Sequence, residues 1–96
     1  MRSATRLGDY CSGHGCYPPR PNIEGSPDVF INNRSSHRQT DGWADHVCGD
    51  ERHIGAKTST GSSSVYVNGL QAARLGDPVD CGSACIQGSP NTFIGG

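Results

Sequence analysis

The feature that most constrains the fold is a short segment that occurs three times in the chain. The copies begin with Gly-Ser at Gly25, Gly61 and Gly88, and each runs into a β-branched residue, an aromatic residue, a second β-branched residue and a turn residue. Short β-branched and aromatic runs between Gly, Pro and Asn residues predict β-strands. A chain with internal repeats is best interpreted as a set of similar units.

A second repeated element, Arg-x-x-Asp, follows the strands as an arm. Its three copies are Arg6-Leu7-Gly8-Asp9, Arg38-Gln39-Thr40-Asp41 and Arg74-Leu75-Gly76-Asp77. Two strands are followed by Asn32-Asn33 and Asn68-Gly69, and Asn-Gly is typical of a tight β-hairpin turn. The repeat therefore predicts a strand, a turn and an arm in each unit.

Two units are complete, at residues 25–41 and 61–77, and the third is split between 88–95 and 4–9. We predict that the ends of the chain meet and close a ring of three units within a single domain, residues 1–96. Such closure also pairs strand edges that would otherwise promote aggregation. The alternative is an ordinary small β meander.

The composition limits the size of the core. Fewer than one residue in five is Leu, Ile, Val or Phe, and the net charge is −1. Small cores usually need a disulfide, a metal or an oligomer to be stable. The arginines and the single lysine are dispersed, so no basic face for nucleic acid is indicated. The fold class predicted is mainly β, with few or no helices.

The metal-ligand candidates follow the repeat. His14 and His46 each lie five residues after an arm aspartate, and Cys81 lies four residues after the third. The long segment between Asp41 and Gly61 adds His53. Zinc in structural sites takes four nitrogen or sulfur ligands, so His14, His46, His53 and Cys81 are the favoured set. The N-terminus has no apolar segment typical of a secretory signal, and in a reducing cytosol cysteines are expected to bind metal more readily than to form disulfides.

Other assignments remain open from the residues alone. Cys48 could replace His46 or His53, and four of the five cysteines could form an all-thiolate site or two disulfides. The cysteines outside the favoured set are Cys11, Cys16, Cys48 and Cys85. His37 lies in an arm, where a surface or partly packed position is expected. Core packing is the expected role of the equivalent aromatic residues Phe30, Tyr66 and Phe93.

The motifs resemble those of the PAAR-repeat proteins. Gln71-Ala72-Ala73-Arg74 corresponds to the Pro-Ala-Ala-Arg motif, and Leu75-Gly76-Asp77 continues it. The N-terminal copy reads Ala4-Thr5-Arg6, and the middle copy has drifted to Ser35-Ser36-His37-Arg38. The segments Gly25-Ser26-Pro27 and Phe93-Ile94-Gly95-Gly96 also match the family, so the resemblance covers nearly the whole chain.

The resemblance implies a small conical domain that caps a trimeric β-helical spike, one tip per trimer, and sharpens it for piercing a target cell envelope. It implies a structural zinc held by His14, His46, His53 and Cys81, and iron accepts the same types of ligand. Such spikes occur in contractile phage tails and in type VI secretion systems. The short form looks most like a phage tail-spike tip on a virion baseplate. The alternative location is the bacterial cytoplasm, followed by type VI secretion.

We therefore expect a structural protein that is a monomer by itself and not an enzyme, with no nucleic-acid partner and no small-molecule substrate. The alternative is a small zinc-dependent hydrolase. A metal site with an open position for water could be catalytic, whereas four protein ligands close it. Asp45, Asp50 and Glu51 are near the histidines in sequence, but none is an obvious general base.

Overall fold

The computed structural model describes residues 1–96 and contains eight short strands and no helix. The strands are β1 (Arg2–Ser3), β2 (Phe30–Ile31), β3 (Arg34–Ser35), β4 (His46–Cys48), β5 (Glu51–His53), β6 (Tyr66–Val67), β7 (Leu70–Gln71) and β8 (Phe93–Ile94). They form four antiparallel pairs, β1–β8, β2–β3, β4–β5 and β6–β7. The prediction of a mainly β fold without long helices is confirmed. Nothing in the structure could serve as a transmembrane helix.

The two predicted hairpin turns are present. Asn32 and Asn33 connect β2 to β3, with φ angles of 54° and 65°, and Asn68 and Gly69 connect β6 to β7, with φ angles of 54° and 78°. Asparagine and glycine adopt this left-handed region more readily than other residues, which explains their place here. The third pair, β1–β8, joins the two ends of the chain.

Backbone hydrogen bonds link the three arms in a closed cycle. The N–H of Thr5 donates to the carbonyl of Ala73, Ala73 donates to His37, and His37 donates back to Thr5, at 3.0, 3.0 and 3.1 Å. We call the three strand pairs β1–β8, β2–β3 and β6–β7, together with the three arms, the ring. The boundaries of the repeat units and a conical outline stay predictions.

Each Gly-Ser pair joins one part of the ring to the next. A Cβ added to Gly25 would lie 2.7 Å from the Cβ of Ser35, so glycine permits this close approach. The hydroxyl of Ser26 accepts the N–H of Val29 at 2.9 Å and donates to the side-chain oxygen of Asn68 at 2.6 Å. Ser89 makes the equivalent bonds with Asn32 as acceptor, whereas Ser62 donates to the backbone carbonyl of Gly95, and this shared role explains why the sequence repeats Gly-Ser.

The arms are closed by buried ion pairs. In each one, the arginine guanidinium donates to both carboxylate oxygens of the aspartate three residues later, and the aspartate also accepts the arginine backbone N–H. The pairs are Arg6–Asp9, Arg38–Asp41 and Arg74–Asp77. All three aspartates are 2% exposed, so the carboxylates depend on these donors.

The arms are not fully equivalent. Arg34 adds a second guanidinium to Asp9 at 2.8 Å, and Arg2 adds one to Asp77 at 3.4 Å. The corresponding position in the third strand pair is Leu70, and Asp41 has an ion pair with Arg38 alone. Asp9 and Asp77 therefore each have two guanidinium partners, and Asp41 in the middle arm has one.

The apolar core is small, as the composition predicts. One cluster packs within the ring and consists of Ala4, Val67, Ala72 and Ile94. The other packs among the loops beyond the arms and consists of Cys11, Trp43, Ala56, Val79 and Cys85. Neither cluster contains a Phe, Leu or Met side chain, so polar contacts carry much of the fold.

Two expectations about packing are wrong. Phe30, Tyr66 and Phe93 are exposed by 58%, 55% and 49%, because successive strand residues point to opposite faces and the next residues, Ile31, Val67 and Ile94, take the packed face. His37 is completely buried rather than at the surface. Its Nδ1 donates to the carbonyl of Glu24, and its Nε2 accepts the hydroxyl of Thr58, both at 2.7 Å, so burial leaves neither nitrogen without a partner.

Candidate metal centre

Three parts of the chain deliver the four candidate ligands. His14 lies in the loop after the first arm, and Cys81 lies in the loop after the third. His46 and His53 lie on the β4–β5 hairpin, where they are directly opposite each other in the register. The hairpin thus explains how a segment inserted after the middle arm supplies two ligands instead of one.

The structure brings all four predicted residues together. The donor atoms of His14, His46, His53 and Cys81 all lie within 4.8 Å of one another. Ligands around a tetrahedral zinc are about 3.3–3.6 Å apart, given bonds of about 2.0 Å to nitrogen and about 2.3 Å to sulfur. A small contraction of these side chains would produce that arrangement.

The hydrogen bonds of the histidines fit a metal ligand role. Nδ1 of His46 donates to the carbonyl of Pro18 at 3.0 Å, which leaves Nε2 with a free lone pair facing Nδ1 of His53 at 3.1 Å. Nε2 of His14 is buried and has no hydrogen-bond partner. A buried nitrogen without a partner is rare in native proteins, and a bound metal accounts for it.

The electrostatic surroundings favour the neutral form of His14. Desolvation lowers the pKa of His14 below its ordinary value, and the neighbouring His53 and His46 lower it further. A neutral imidazole has the lone pair that metal binding requires.

Tyr17 covers the histidine cluster and was not singled out from the sequence. Its ring stacks on His53 with 3.8 Å between centroids, and its hydroxyl donates to Glu51 at 3.1 Å. A tight turn places it there, because the backbone groups of His14 and Tyr17 bond to each other at 2.8 and 3.0 Å. Tyr17 follows the candidate ligand His14 by three residues, and this spacing is the sequence signal that could have indicated its role.

The cysteines outside this cluster behave differently from the sequence expectation. Cys16 and Cys48 form a disulfide, with Cα atoms 5.5 Å apart. The expectation that the cysteines bind metal rather than form disulfides is therefore wrong for this pair. The disulfide also removes Cys48 as a substitute ligand. Cys11 and Cys85 are free and buried, which leaves neither an all-thiolate site nor two disulfides.

The comparisons with known proteins agree with the resemblance. The model of the PAAR motif family matches residues 48–96, about half of the chain. The chain is 37% identical over 79 residues to the NAD(P)(+) glycohydrolase toxin Tse6 and to the (p)ppApp synthetase toxin Tas1, both of Pseudomonas aeruginosa. It is 35% identical over 74 residues to the double-stranded DNA deaminase toxin A of Burkholderia cenocepacia.

These matches cover only part of the relatives. Each includes 77% of this chain, but the chain spans 18% of the two Pseudomonas toxins and 5% of the Burkholderia toxin. The similarity is therefore to one small portion of much longer proteins. With the family motif, the closed cycle of arms and the histidine–cysteine cluster, the chain belongs to the PAAR motif family.

Proposed function

We propose that this chain is the structural tip of a trimeric β-helical spike in a contractile injection apparatus. The PAAR motif supports a spike-tip role in type VI secretion. The finer proposal is that one chain caps the blunt end of one spike trimer and sharpens it for piercing the target cell envelope. A phage tail spike on a virion baseplate is the alternative setting.

The observation that carries this proposal is the exposure of three equivalent aromatic side chains on the ring. Phe30, Tyr66 and Phe93 lie on β2, β6 and β8, and each is about half exposed. No third strand pairs with any of these two-stranded pairs. Three similar apolar contacts beside short strand pairs suit a partner with three identical chains, whose terminal strands can continue the backbone hydrogen bonding.

Stoichiometry tests the capping role. The wild-type chain is mixed with the C-terminal fragment of a trimeric spike, and the complex is weighed by native mass spectrometry. We expect one chain per trimer, because each unit meets one spike chain. Three chains per trimer would contradict the proposal.

A matched pair of variants tests the binding surface. Replacing Phe30, Tyr66 and Phe93 together by serine should weaken the complex by at least tenfold in a titration by calorimetry. Ile54→Ser is the control, because Ile54 is 68% exposed but lies near the metal ligands. Equal loss in both variants would exclude the aromatic surface as the docking site.

We also propose that the bound metal is a structural Zn²⁺ held by His14, His46, His53 and Cys81. Such an ion would supply a cross-link between loops that are far apart in the sequence, and iron accepts the same donors. Metal analysis of the purified protein by mass spectrometry tests its identity, and we expect one zinc per chain.

A role without catalysis is supported by the acidic residues around the cluster. Glu51 accepts the Tyr17 hydroxyl, and Asp45 faces Arg52 at 3.9 Å. An open notch of about 480 Å³ lies beside His53 and Cys81, but its carboxylate, Asp80, accepts the backbone N–H of Lys57 at 3.1 Å. X-ray absorption at the zinc edge should find four protein ligands. A coordinated water in place of one of them would favour the hydrolase alternative.

A further inference from the structure

Arg20 is a buried cation that the fold leaves without a carboxylate. The residue is 4% exposed, and it forms no ion pair with an acidic side chain. Burying a guanidinium is costly unless its N–H groups are hydrogen-bonded. The position of Arg20 is therefore explained only by the acceptors that surround it.

Two of these acceptors are sulfur atoms. Nη1 of Arg20 donates to Sγ of Cys11 at 2.9 Å, and Nη2 donates to Sγ of Cys81 at 3.4 Å. Nε donates to the carbonyl of Ala44 at 2.8 Å, and the guanidinium carbon lies 5.3 Å from the centre of the Trp43 ring. The side chain is thus held on all sides, with one donor directed at a candidate metal ligand.

The acceptors lie on the three segments that carry the ligands. Cys11 precedes His14 by three residues, Ala44 precedes His46 by two, and Cys81 is a ligand itself. One planar guanidinium with donors in a fixed fork can hold three such points at once, which a flexible lysine cannot.

We propose that Arg20 is a positioning residue that donates a hydrogen bond to the metal-binding sulfur of Cys81 and orients it toward the histidines. This inference rests on the proposed metal site. A hydrogen bond to a ligand fixes its direction and lowers the energy of the sulfur lone pairs. Loss of such an outer partner weakens metal binding about 10- to 100-fold in other metal sites.

The test uses Co²⁺, whose absorption reports directly on a bound sulfur. Metal-free wild type, Arg20→Met and Arg20→Lys are titrated with Co²⁺, and the sulfur-to-cobalt charge-transfer band is recorded. In Arg20→Met we expect the band at longer wavelength, because the sulfur lone pairs rise in energy, and an affinity about tenfold lower or more. Arg20→Lys should recover part of both changes, since it retains one donor.

Arg52→Met is the matched control. This arginine is adjacent to His53, but its side chain is 64% exposed and it faces Asp45 rather than a sulfur. The control removes one positive charge near the same site but no hydrogen bond to sulfur. It should therefore leave the charge-transfer band and the Co²⁺ affinity unchanged. An equal shift in Arg52→Met would mean that general charge, not the hydrogen bond, is responsible.

Folding is checked separately by the fluorescence of Trp43, the single tryptophan, which packs against Arg20. If Arg20→Met does not fold, Arg20→Lys carries the test. A band at the wild-type wavelength in the folded variant would overturn the positioning role while leaving the metal site intact. Tighter Co²⁺ binding by the variant would overturn it as well. If wild type binds neither Co²⁺ nor Zn²⁺, the proposed metal site fails, and the role of Arg20 fails with it.

Discussion

The ring and the metal-bearing loops are stabilised in different ways. The ring repeats the same backbone cycle, Gly-Ser contacts and arginine–aspartate pairs in each of its parts. The loops that carry His14, His46, His53 and Cys81 have one five-residue apolar cluster, one short hairpin and one disulfide. Backbone hydrogen bonds also repeat three times at the base of the loops, where the carbonyls of the arm aspartates accept the N–H groups of Asn22, Thr58 and Cys85. The comparison teaches that the ring repeats its side-chain contacts as well as its backbone bonds, whereas the side-chain contacts that hold the ligands occur once.

The largest expected effect is the loss of the metal. Structural zinc contributes on the order of 10 kcal/mol in small domains, comparable to the whole stability of a typical protein. A chelator strong enough to remove zinc should lower the melting temperature by about 40 °C or more, since about 1 kcal/mol shifts it by about 4–8 °C in a domain of this size. Hydrogen exchange should show that the loops lose protection first, while the amides of Thr5, His37 and Ala73 exchange more slowly.

The control for this experiment is the chelator saturated with zinc, which should change nothing. A melting temperature that is unaffected by complete removal of the metal would show that the loops are stable without it. Simultaneous loss of protection in both regions would show that the ring depends on the metal too, and the contrast between them would then be wrong.

The next effect concerns the buried carboxylates of the arms. Replacing Asp9 or Asp77 by asparagine leaves two guanidinium groups without their anion, whereas Asp41→Asn leaves one. Breaking a buried ion pair costs about 3–5 kcal/mol, so we expect all three variants to be strongly destabilised and Asp41→Asn the least. Urea denaturation of the metal-loaded proteins measures the differences.

Asp45→Asn provides the matched control among the metal-bearing loops. The Asp45 side chain is 47% exposed and lies 3.9 Å from Arg52, so the pair is screened by solvent and its loss should cost about 1 kcal/mol or less. If Asp41→Asn proves the most damaging of the arm variants, the additional arginines do not stabilise the other two arms.

Much of the ring could be predicted from the sequence, because its contacts recur at a constant spacing. The repeated sequence motifs predict the Asn32-Asn33 turn and the arginine–aspartate arms. The strand pairs β2–β3 and β6–β7 lie where these motifs predict them. The proximity of His14, His46 and Cys81 could be inferred because they occupy similar places after the arms. The position of His53 could be inferred on one further assumption, that the segment inserted after the middle arm returns to the place where the other three ligands meet.

The remaining features depend on packing that has no repeated signal. The exposure of Phe30 depends on which face of β2 packs on the core, and the burial of His37 depends on Thr58, a residue outside the sequence repeat. The Cys16–Cys48 disulfide and the position of Arg20 arise from contacts between loops of unrelated sequence. The residue types alone do not show which cysteines form the disulfide or that Arg20 is buried.

A smaller effect should come from His37, the buried histidine at the ring. Desolvation lowers its pKa below the ordinary value of 6.5. Below pH 6.5 the unfolded chain therefore binds a proton that the folded chain does not, and stability falls as the pH falls. His37→Ala should cost about 1–3 kcal/mol at pH 7.5, because Glu24 and Thr58 lose their partner.

The difference between wild type and His37→Ala should narrow between pH 7.5 and 5.5, since only wild type has this proton to exclude. Urea denaturation at both pH values, with the metal bound, measures it. Acid also affects the metal ligands, but it does so in both proteins, so the difference isolates His37. A constant difference would show that the folded state accommodates the charged histidine.

The smallest effect should come from moving the ends of the chain. In the ring, β1 and β8 pair as β2 and β3 do, and the residues between Ile94 and Arg2 occupy the place of the Asn32-Asn33 turn. Joining Gly96 to Met1 and opening the chain between Asn32 and Asn33 exchanges one short loop for another, at a cost of about 1 kcal/mol or less. The permuted chain should bind zinc and melt within a few degrees of wild type.

A cut between Gly49 and Asp50, in the single β4–β5 hairpin, should be more harmful, because no second hairpin holds His46 against His53. Equal tolerance of both cuts would remove the distinction between a ring whose side-chain contacts are repeated and loops in which the contacts that hold the ligands occur once.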